Sequence, residues 1–282
     1  MEKNDKMSEQ TIVAFQGEHG AYSEQAVRHH FGPDVMTLPC RTFVAITDAL
    51  QSGHAQYGML PVENSLAGTV IPAYDLLMDY DLHIQAEVIL RVRHCLMVPP
   101  GTTLADVRWV RSHPQALMQC EATLRRMGLE PVEYYDTAGA ARDLAADPQP
   151  HTAAVASSLA AETYGLDILA HNLEDQDINF TRFFALGREY PARQDPSKTS
   201  IILTTRHVPG ALHAALAELA KRDINMTKIE SRPRRNRPWH YLFYVDFEGH
   251  EDDEPVREAL LGILRHASFL KVLGSYPAAK IE

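Results

Sequence analysis

The stretch Thr11-Ile12-Val13-Ala14-Phe15-Gln16-Gly17-Glu18-His19-Gly20-Ala21-Tyr22-Ser23 opens with five residues rich in β-branched and apolar side chains. Such a short apolar run reads as a buried strand. Two glycines then turn the chain, and a helix is expected over about residues 24–30. A strand, a glycine turn and a helix N-terminus can together hold an anion, because free backbone N–H groups point outward there. A plain tight turn accounts for the same residues equally well. A dinucleotide fold is the obvious competitor. It wants G-x-G-x-x-G and an acid ending the second strand, but the middle glycine is absent and residues 35–38 run into Pro39.

Working outward, the same grammar repeats. Thr42 caps a helix expected to reach about residue 52, residues 57–61 form a strand, a helix covers about 70–78, and residues 84–92 make a longer strand. Strands alternating with helices imply a mostly parallel sheet covered on its faces. Glu63 and Asn64 follow the strand at 57–61, where open α/β sheets bind ligands; turn chemistry explains these residue types too. Pro99-Pro100-Gly101 marks a crossing into a second lobe. There a strand at 109–112 leads through His113-Pro114 into a helix expected over 115–127, whose core stripe is Leu117, Cys120 and Leu124. Strands at 132–135, 153–156 and 167–170 and a helix to residue 146 complete that lobe, and two lobes imply a cleft.

Pro191 to Ser197 reads as a linker. Beyond it, strands at 200–204, 226–230, 241–247 and 269–273 and helices striped by Leu212, Ala215, Leu216 and Leu219 and by Val256, Ala259, Leu260 and Ile263 give the order β-α-β-β-α-β. That order is the ferredoxin-like sandwich. Residues 231–238 are expected to be a loop, carrying Arg232, Arg234, Arg235 and Arg237.

Lys and Arg number 27 against 37 Asp and Glu among 282 residues, a formal net charge of -10. A nucleic-acid binder needs a basic footprint, which this balance argues against. Three cysteines, Cys40, Cys95 and Cys120, lie far apart without C-x-x-C, which suits free thiols in a reducing cytoplasm. Residues 1–10 are polar, lack a signal-peptide core and are expected to be disordered. Neither a membrane-spanning run nor metal-ligand spacing is present, and no cofactor is called for.

Asn179-Phe180-Thr181-Arg182-Phe183-Phe184 sets a hydroxyl and a guanidinium inside an apolar run. Burying such groups unpaired costs several kcal/mol. Arg182 either pairs with a nearby acid, Glu174, Asp175 or Asp177, or forms a pocket wall with Thr181 facing an anionic ligand. With Gly17-x-x-Gly20-x-Tyr22-Ser23, Pro61-Val62-Glu63-Asn64-Ser65 and Ser112-His113-Pro114-Gln115 plus Gln119-Cys120, this stretch resembles prephenate dehydratases. Gly210-Ala211-Leu212 and Ile229-Glu230-Ser231-Arg232-Pro233 resemble the ACT regulatory domain of the same family, in which Leu219 and Met226 depart only in packing detail.

The resemblance covers roughly residues 11–276. It implies a two-lobed catalytic region over 11–190 similar to periplasmic binding proteins, with lobes at about 11–92 plus 172–190 and 93–171, and an ACT domain over 198–277. It implies the decarboxylating dehydration of prephenate to phenylpyruvate, feedback by L-phenylalanine and a homodimer or homotetramer. It places Thr181, Glu63, Asn64, Gln119 and Ser112 in catalysis, and Arg182, Phe183, Ser23, Tyr22, Gly20 and His113 on the substrate. Gly210, Ala211, Leu212, Asn225, Glu230, Ser231 and Arg232 would hold phenylalanine where two ACT domains meet. The residue types suit this chemistry. Arg182 is a bidentate carboxylate holder, Thr181 can hydrogen-bond the leaving hydroxyl, and Glu63 or His113 can supply a proton. An arogenate dehydratase and a non-catalytic amino-acid sensor are the rival readings.

Overall fold

The computed structural model describes residues 10–234 and 237–279. Of the expected N-terminal tail, residues 1–10, the first nine lie outside the described residues, as does Arg235 of the arginine run. In chain order the elements are β1 (Ile12–Gln16), α1 (Tyr22–Phe31), β2 (Met36–Cys40), α2 (Phe43–Gln51), β3 (Tyr57–Asn64), β4 (Gly68–Thr69), α3 (Ile71–Asp79), β5 (His83–Arg91) and β6 (Cys95–Val98). Then come β7 (Trp109–Ser112), α4 (Pro114–Gln119), α5 (Glu121–Arg126), β8 (Glu130–Glu133), α6 (Thr137–Ala146), β9 (Thr152–Ala156), α7 (Ser158–Tyr164), β10 (Asp167–Ala170) and β11 (Phe180–Gly187). The remainder is β12 (Ser197–Thr205), α8 (Ala211–Ala220), β13 (Met226–Arg234), β14 (Arg237–Glu248), α9 (Glu254–His266) and β15 (Ala267–Pro277).

By contacts the chain forms two compact units. One holds the residues up to Ala73 with Val88–Phe183, and the other Tyr74–Glu87 with the residues from Phe184 onward. The first sheet has the order β2-β1-β3-β11-β5, with β4 added to β3, and β1 runs parallel to both β2 and β3. The second sheet, β10-β6-β9-β7-β8, is mixed: β7 is parallel to β8 and β9, but β6 is antiparallel to β9 and β10. A mostly parallel sheet was expected here. β6 enters directly from β5 without a crossover helix of its own, so nothing constrains it to be parallel.

The third sheet, β13-β14-β12-β15, is antiparallel throughout. With α8 and α9 it makes the expected βαββαβ sandwich, whose core packs Ile201, Leu203, Val245 and Phe247 against Ala215, Leu219, Val256, Ala259 and Ile263.

Four local expectations change. β3 continues through Asn64 because Glu63 and Asn64 pair across a tight hairpin with Thr69 and Gly68. The helix expected over 115–127 breaks at Cys120 (φ -112°, ψ 8°) into α4 and α5, yet Leu117, Cys120 and Leu124 all stay in the core. Helix α7 was not foreseen; Ser157 caps it, accepting from the Ala160 N–H at 3.1 Å, and Gly165 ends it in the left-handed region. Of the loop expected at 231–238, residues 231–234 belong to β13 and 237–238 to β14, with Pro233 opposite Tyr241, and residues 235–236 lie outside the described residues. Proline is tolerated because β13 is an edge strand.

The turn between β1 and α1 is held by a buried carboxylate. Gly20 has φ +84°, and a Cβ there would stand 2.6 Å from the Ala160 backbone. Its N–H donates to Glu24 at 2.6 Å and its carbonyl accepts from Ser157 at 2.6 Å. Glu24 also accepts from Arg28 at 2.9 Å and Thr37 at 3.0 Å. Burial alone would raise the Glu24 pKa, but the Gly20 N–H, Arg28 and Thr37 outweigh it and hold it below its ordinary value. Glu24→Gln is therefore expected to destabilise by about 1–3 kcal/mol at neutral pH. Because the folded pKa is depressed, this contribution is present above the unfolded value of about 4.3 and is lost as pH falls through the folded one. Thermal melts should show the gap between parent and variant closing on acidification; a gap independent of pH would remove the charged role.

Candidate active site

A cavity of about 250 Å³ collects side chains from both α/β sheets of the first unit. From the first sheet come Gln16, Asn64, Thr181 and Phe183, with Tyr22 and Ser23 from the first turn of α1. From the second come His113, Gln115 and Gln119 around α4, and Thr137 at the start of α6; Val92 and His94 line it from the connection between the sheets.

Asn64 organises this wall. Its Oδ1 accepts the backbone N–H groups of Leu66 at 3.0 Å and Ala67 at 2.9 Å. Its two Nδ2 protons are shared among three acceptors, Asn179 Oδ1 at 2.9 Å, the Phe180 carbonyl at 3.1 Å and Thr181 Oγ1 at 3.0 Å. Ser65 zips the same two segments: its hydroxyl donates to the Ile178 carbonyl at 2.6 Å and accepts the Phe180 N–H at 2.9 Å. The motifs around Asn64 and Thr181 thus form one hydrogen-bonded unit. Because Thr181 Oγ1 accepts from Asn64, its own proton is left for another acceptor, and Thr181 faces the cavity.

The chain of amides continues. Asn179 Nδ2 donates to Gln119 Oε1 at 2.9 Å, which also lies 2.9 Å from His94 Nε2. His94 Nδ1 lies 2.7 Å from the Tyr22 hydroxyl, and the rings meet edge to face. Burial holds the His94 pKa below its ordinary value, against Gln119 and Glu174, which raise it. Burial also lifts the Tyr22 phenol well above its usual range. His113 Nδ1 accepts the Gln115 N–H at 3.2 Å, so the neutral ring carries its proton on Nε2.

Of the residues singled out from sequence, Thr181, Asn64, Gln119, Phe183, Ser23, Tyr22 and His113 line this cavity, and Gly20 shapes the turn beside it. Three do not reach its wall. Ser112 is fully buried and donates to the Val155 carbonyl at 2.6 Å. Arg182 follows Thr181 on a strand and so points to the opposite face, where it lies 3.6 Å from Glu63. Among the described residues Glu63 is thus an acid beside Arg182 that the sequence reading had not offered, while Asp175, one of those it had, caps the start of α5. Sequence reasoning missed His94, Asn179 and Thr137. A lone histidine between two apolar strands was the available signal for the first.

The chain matches the prephenate dehydratase family over residues 13–191 and the ACT domain over 199–265. The chain belongs to the prephenate dehydratase family. It is 46% identical to arogenate dehydratase/prephenate dehydratase 2 of Arabidopsis thaliana, a chloroplastic protein, across 94% of this chain and 72% of the relative. It is 40% identical to the bifunctional N-acyl-homoserine lactone acylase/prephenate dehydratase of Komagataeibacter europaeus, across 97% and 98% of the two chains. The crystal structure of prephenate dehydratase from Arthrobacter aurescens in complex with L-Phe superposes with a TM-score of 0.87 at 30% identity, covering 95% of this chain and 90% of that one. The chain is thus a dehydratase of the prephenate/arogenate type, of mixed α/β fold, with a C-terminal ACT domain.

In the second unit, a hollow of about 570 Å³ is lined by Val208, Gly210, Ala211 and Leu212 with Tyr241 and Phe243. Gly210 begins α8 at φ +78°. Asn225, Glu230, Ser231 and Arg232 are not part of its lining. Asn225 donates to Glu248 at 3.1 Å, and Arg232 lies 3.6 Å from Asp75. Among the described residues, no helix is long and apolar enough to cross a membrane.

The position of Arg182 makes a direct prediction. Arg182→Lys keeps the charge but loses the planar fork. Melting temperature is expected to fall while KM for the dehydratase substrate stays near the parent's. A raised KM with an unchanged melt would return Arg182 to the substrate.

Proposed function

We propose that this chain converts prephenate to phenylpyruvate, with Thr181 as the hydrogen-bond donor to the leaving hydroxyl. The observation that carries the reading is the Asn64–Thr181 hydrogen bond, which leaves the threonine proton for the cavity. Electrons of the breaking C–CO₂ bond enter the ring and expel the 4-hydroxyl, giving CO₂, water and an aromatic ring. Phe183, Val92 and Val70 give the ring and the departing carboxylate an apolar wall. The N–H groups at the start of α1 and the Ser23 and Thr137 hydroxyls offer donors to the side-chain carboxylate. The proton that turns hydroxide into water can come through Thr181 from a neighbour such as His113 in its protonated form.

Arogenate differs in carrying an ammonium in place of the keto group. Among the described residues lining the cavity none is a carboxylate, which favours the keto acid. Glu18 and Asp136 stand in an adjoining hollow that shares Gln16, but Arg41 and Arg142 line it too and Glu18 is paired with Arg142 at 2.8 Å, which is no better a seat for an ammonium. A non-catalytic sensor has no use for a hydroxyl donor aimed at an apolar wall.

Purified protein given each substrate in turn is expected to turn over prephenate with the higher kcat/KM. Thr181→Ala should lower kcat by about 10²–10⁴-fold with little change in KM, and Thr181→Ser should keep much of the rate. That pattern marks an interaction made in the transition state. Turnover of the alanine variant at the parent's rate would end the role.

The ACT domain supports feedback by L-phenylalanine. The hollow beside Gly210 combines apolar side chains with a backbone open to close approach. We place the effector there, at the meeting of two ACT domains in a homodimer or a dimer of dimers, with residues Glu230–Arg232 of β13 contributed by the second copy. The division is then catalytic lobes at about 11–92 plus 172–190 and 93–171, and regulation at 198–277. Three unpaired, buried cysteines suit a cytoplasmic setting. Gly210→Val puts a branched side chain where the effector backbone would lie. Titration calorimetry should show phenylalanine binding abolished; affinity equal to the parent's would move the effector site elsewhere.

A further inference from the structure

The orientation of every amide in the cavity wall follows from two backbone N–H groups. Leu66 and Ala67 donate to one oxygen of Asn64, so that atom is Oδ1 and its partner is the donor Nδ2. Asn179 must then present Oδ1 to Asn64 and Nδ2 to Gln119. Gln119 must present Oε1, and that oxygen faces His94 Nε2 at 2.9 Å. Two lone pairs at that distance repel, so Nε2 carries a proton. Nδ1 of the neutral ring is then an acceptor, and the Tyr22 hydroxyl supplies it at 2.7 Å. Tyr22 has a single proton, so its second contact, 3.0 Å to the Arg93 carbonyl, is the weaker one in this state. The His94 backbone is pinned as well: its N–H donates to Glu174 at 2.9 Å, and the ring is almost wholly buried.

We propose that His94 is a positioning residue for the dehydration, holding Gln119, Asn179 and Asn64 in the one orientation that leaves the Thr181 proton free for the leaving hydroxyl. Without an N–H at the Nε2 position, Gln119 can flip and offer its own N–H₂ to the ring. Asn179 then meets a donor where it had an acceptor and is driven to flip. Asn64 cannot follow without breaking its bonds to Leu66 and Ala67, so the conflict falls on the bonds that orient Thr181. A buried network with one unsatisfied member loses more than one bond. This inference rests on the dehydratase reading, but the tautomer itself does not.

The test therefore has a readout that needs no turnover. Long-range ¹H–¹⁵N NMR of the unliganded protein is expected to show His94 as the Nε2–H tautomer, and an Nδ1–H tautomer overturns the proposal whatever the reaction. Two isosteric variants carry the kinetic half. His94→Gln sets an amide N–H where Nε2–H stood; His94→Asn sets a polar atom near the Nδ1 position and leaves Gln119 without a donor. His94→Asn is expected to lower kcat by about 10–100-fold, the scale on which partners one step behind a reactive group act, with KM near the parent's. His94→Gln is expected to restore most of that loss. Equal rates in the two variants, both melting at the parent's temperature, overturn the proposal. A parent that turns over neither prephenate nor arogenate sinks the dehydratase reading and leaves the NMR result to judge the tautomer.

Discussion

The carboxamide of Asn64 is the interaction on which the cavity depends. Its oxygen satisfies two backbone N–H groups of a tight turn and its nitrogen serves three acceptors on the Asn179–Thr181 segment. No other side chain of similar size carries both an acceptor and two donors. Aspartate would keep the turn but set negative charge against three acceptors. A net gain of about 1 kcal/mol per bond understates the constraint, since each partner left buried and unmade costs more than a formed bond returns. The same group thereby fixes both a piece of backbone and the direction of a hydroxyl proton. A fold that places β3 beside β11 brings these segments together across more than a hundred residues of chain.

Much of this was legible before the structure. Period-two and period-three-four patterns located nearly every element, and the strand–glycine–helix opening gave the fold class. Leu117, Cys120 and Leu124 were recognised as core even though the helix carrying them is broken in two. Thr181, Gln119 and His113 were recognised by resemblance and meet in one cavity. The residues that the geometry does not bring to the cavity are set apart by parity and distance. Thr181 and Arg182 are adjacent on a strand, so only one of them can face a given side; the sequence reading gave both to the substrate. Ser112 lies on a strand with its hydroxyl spent on Val155, a partner forty-three residues away that no local pattern announces. His94 was passed over because its meaning comes from Tyr22, Gln119 and Glu174, three residues on separate segments.

The charge distribution carries a consequence for the proposed chemistry. A dianionic substrate invites the expectation of an arginine in contact with it, and Arg182 was the obvious choice. No arginine or lysine is among the described residues lining the cavity; Arg41 and Arg142 stand in the adjoining hollow that shares Gln16. Decarboxylation moves negative charge out of a carboxylate, through the ring and onto a departing oxygen. A cation fixed on that carboxylate would stabilise the ground state more than the transition state and slow the step, since only differential stabilisation accelerates it. Donors gathered at the leaving-oxygen end act in the opposite sense, because charge grows there as the bond breaks. On the proposed reading Thr181, oriented by Asn64, would be such a donor, with Phe183 on the same cavity wall. On this view the pairing of Arg182 with Glu63, on the far face of the strand, serves the reaction too. On the proposed reading it would hold the positive charge of the segment away from the carboxylate that must leave.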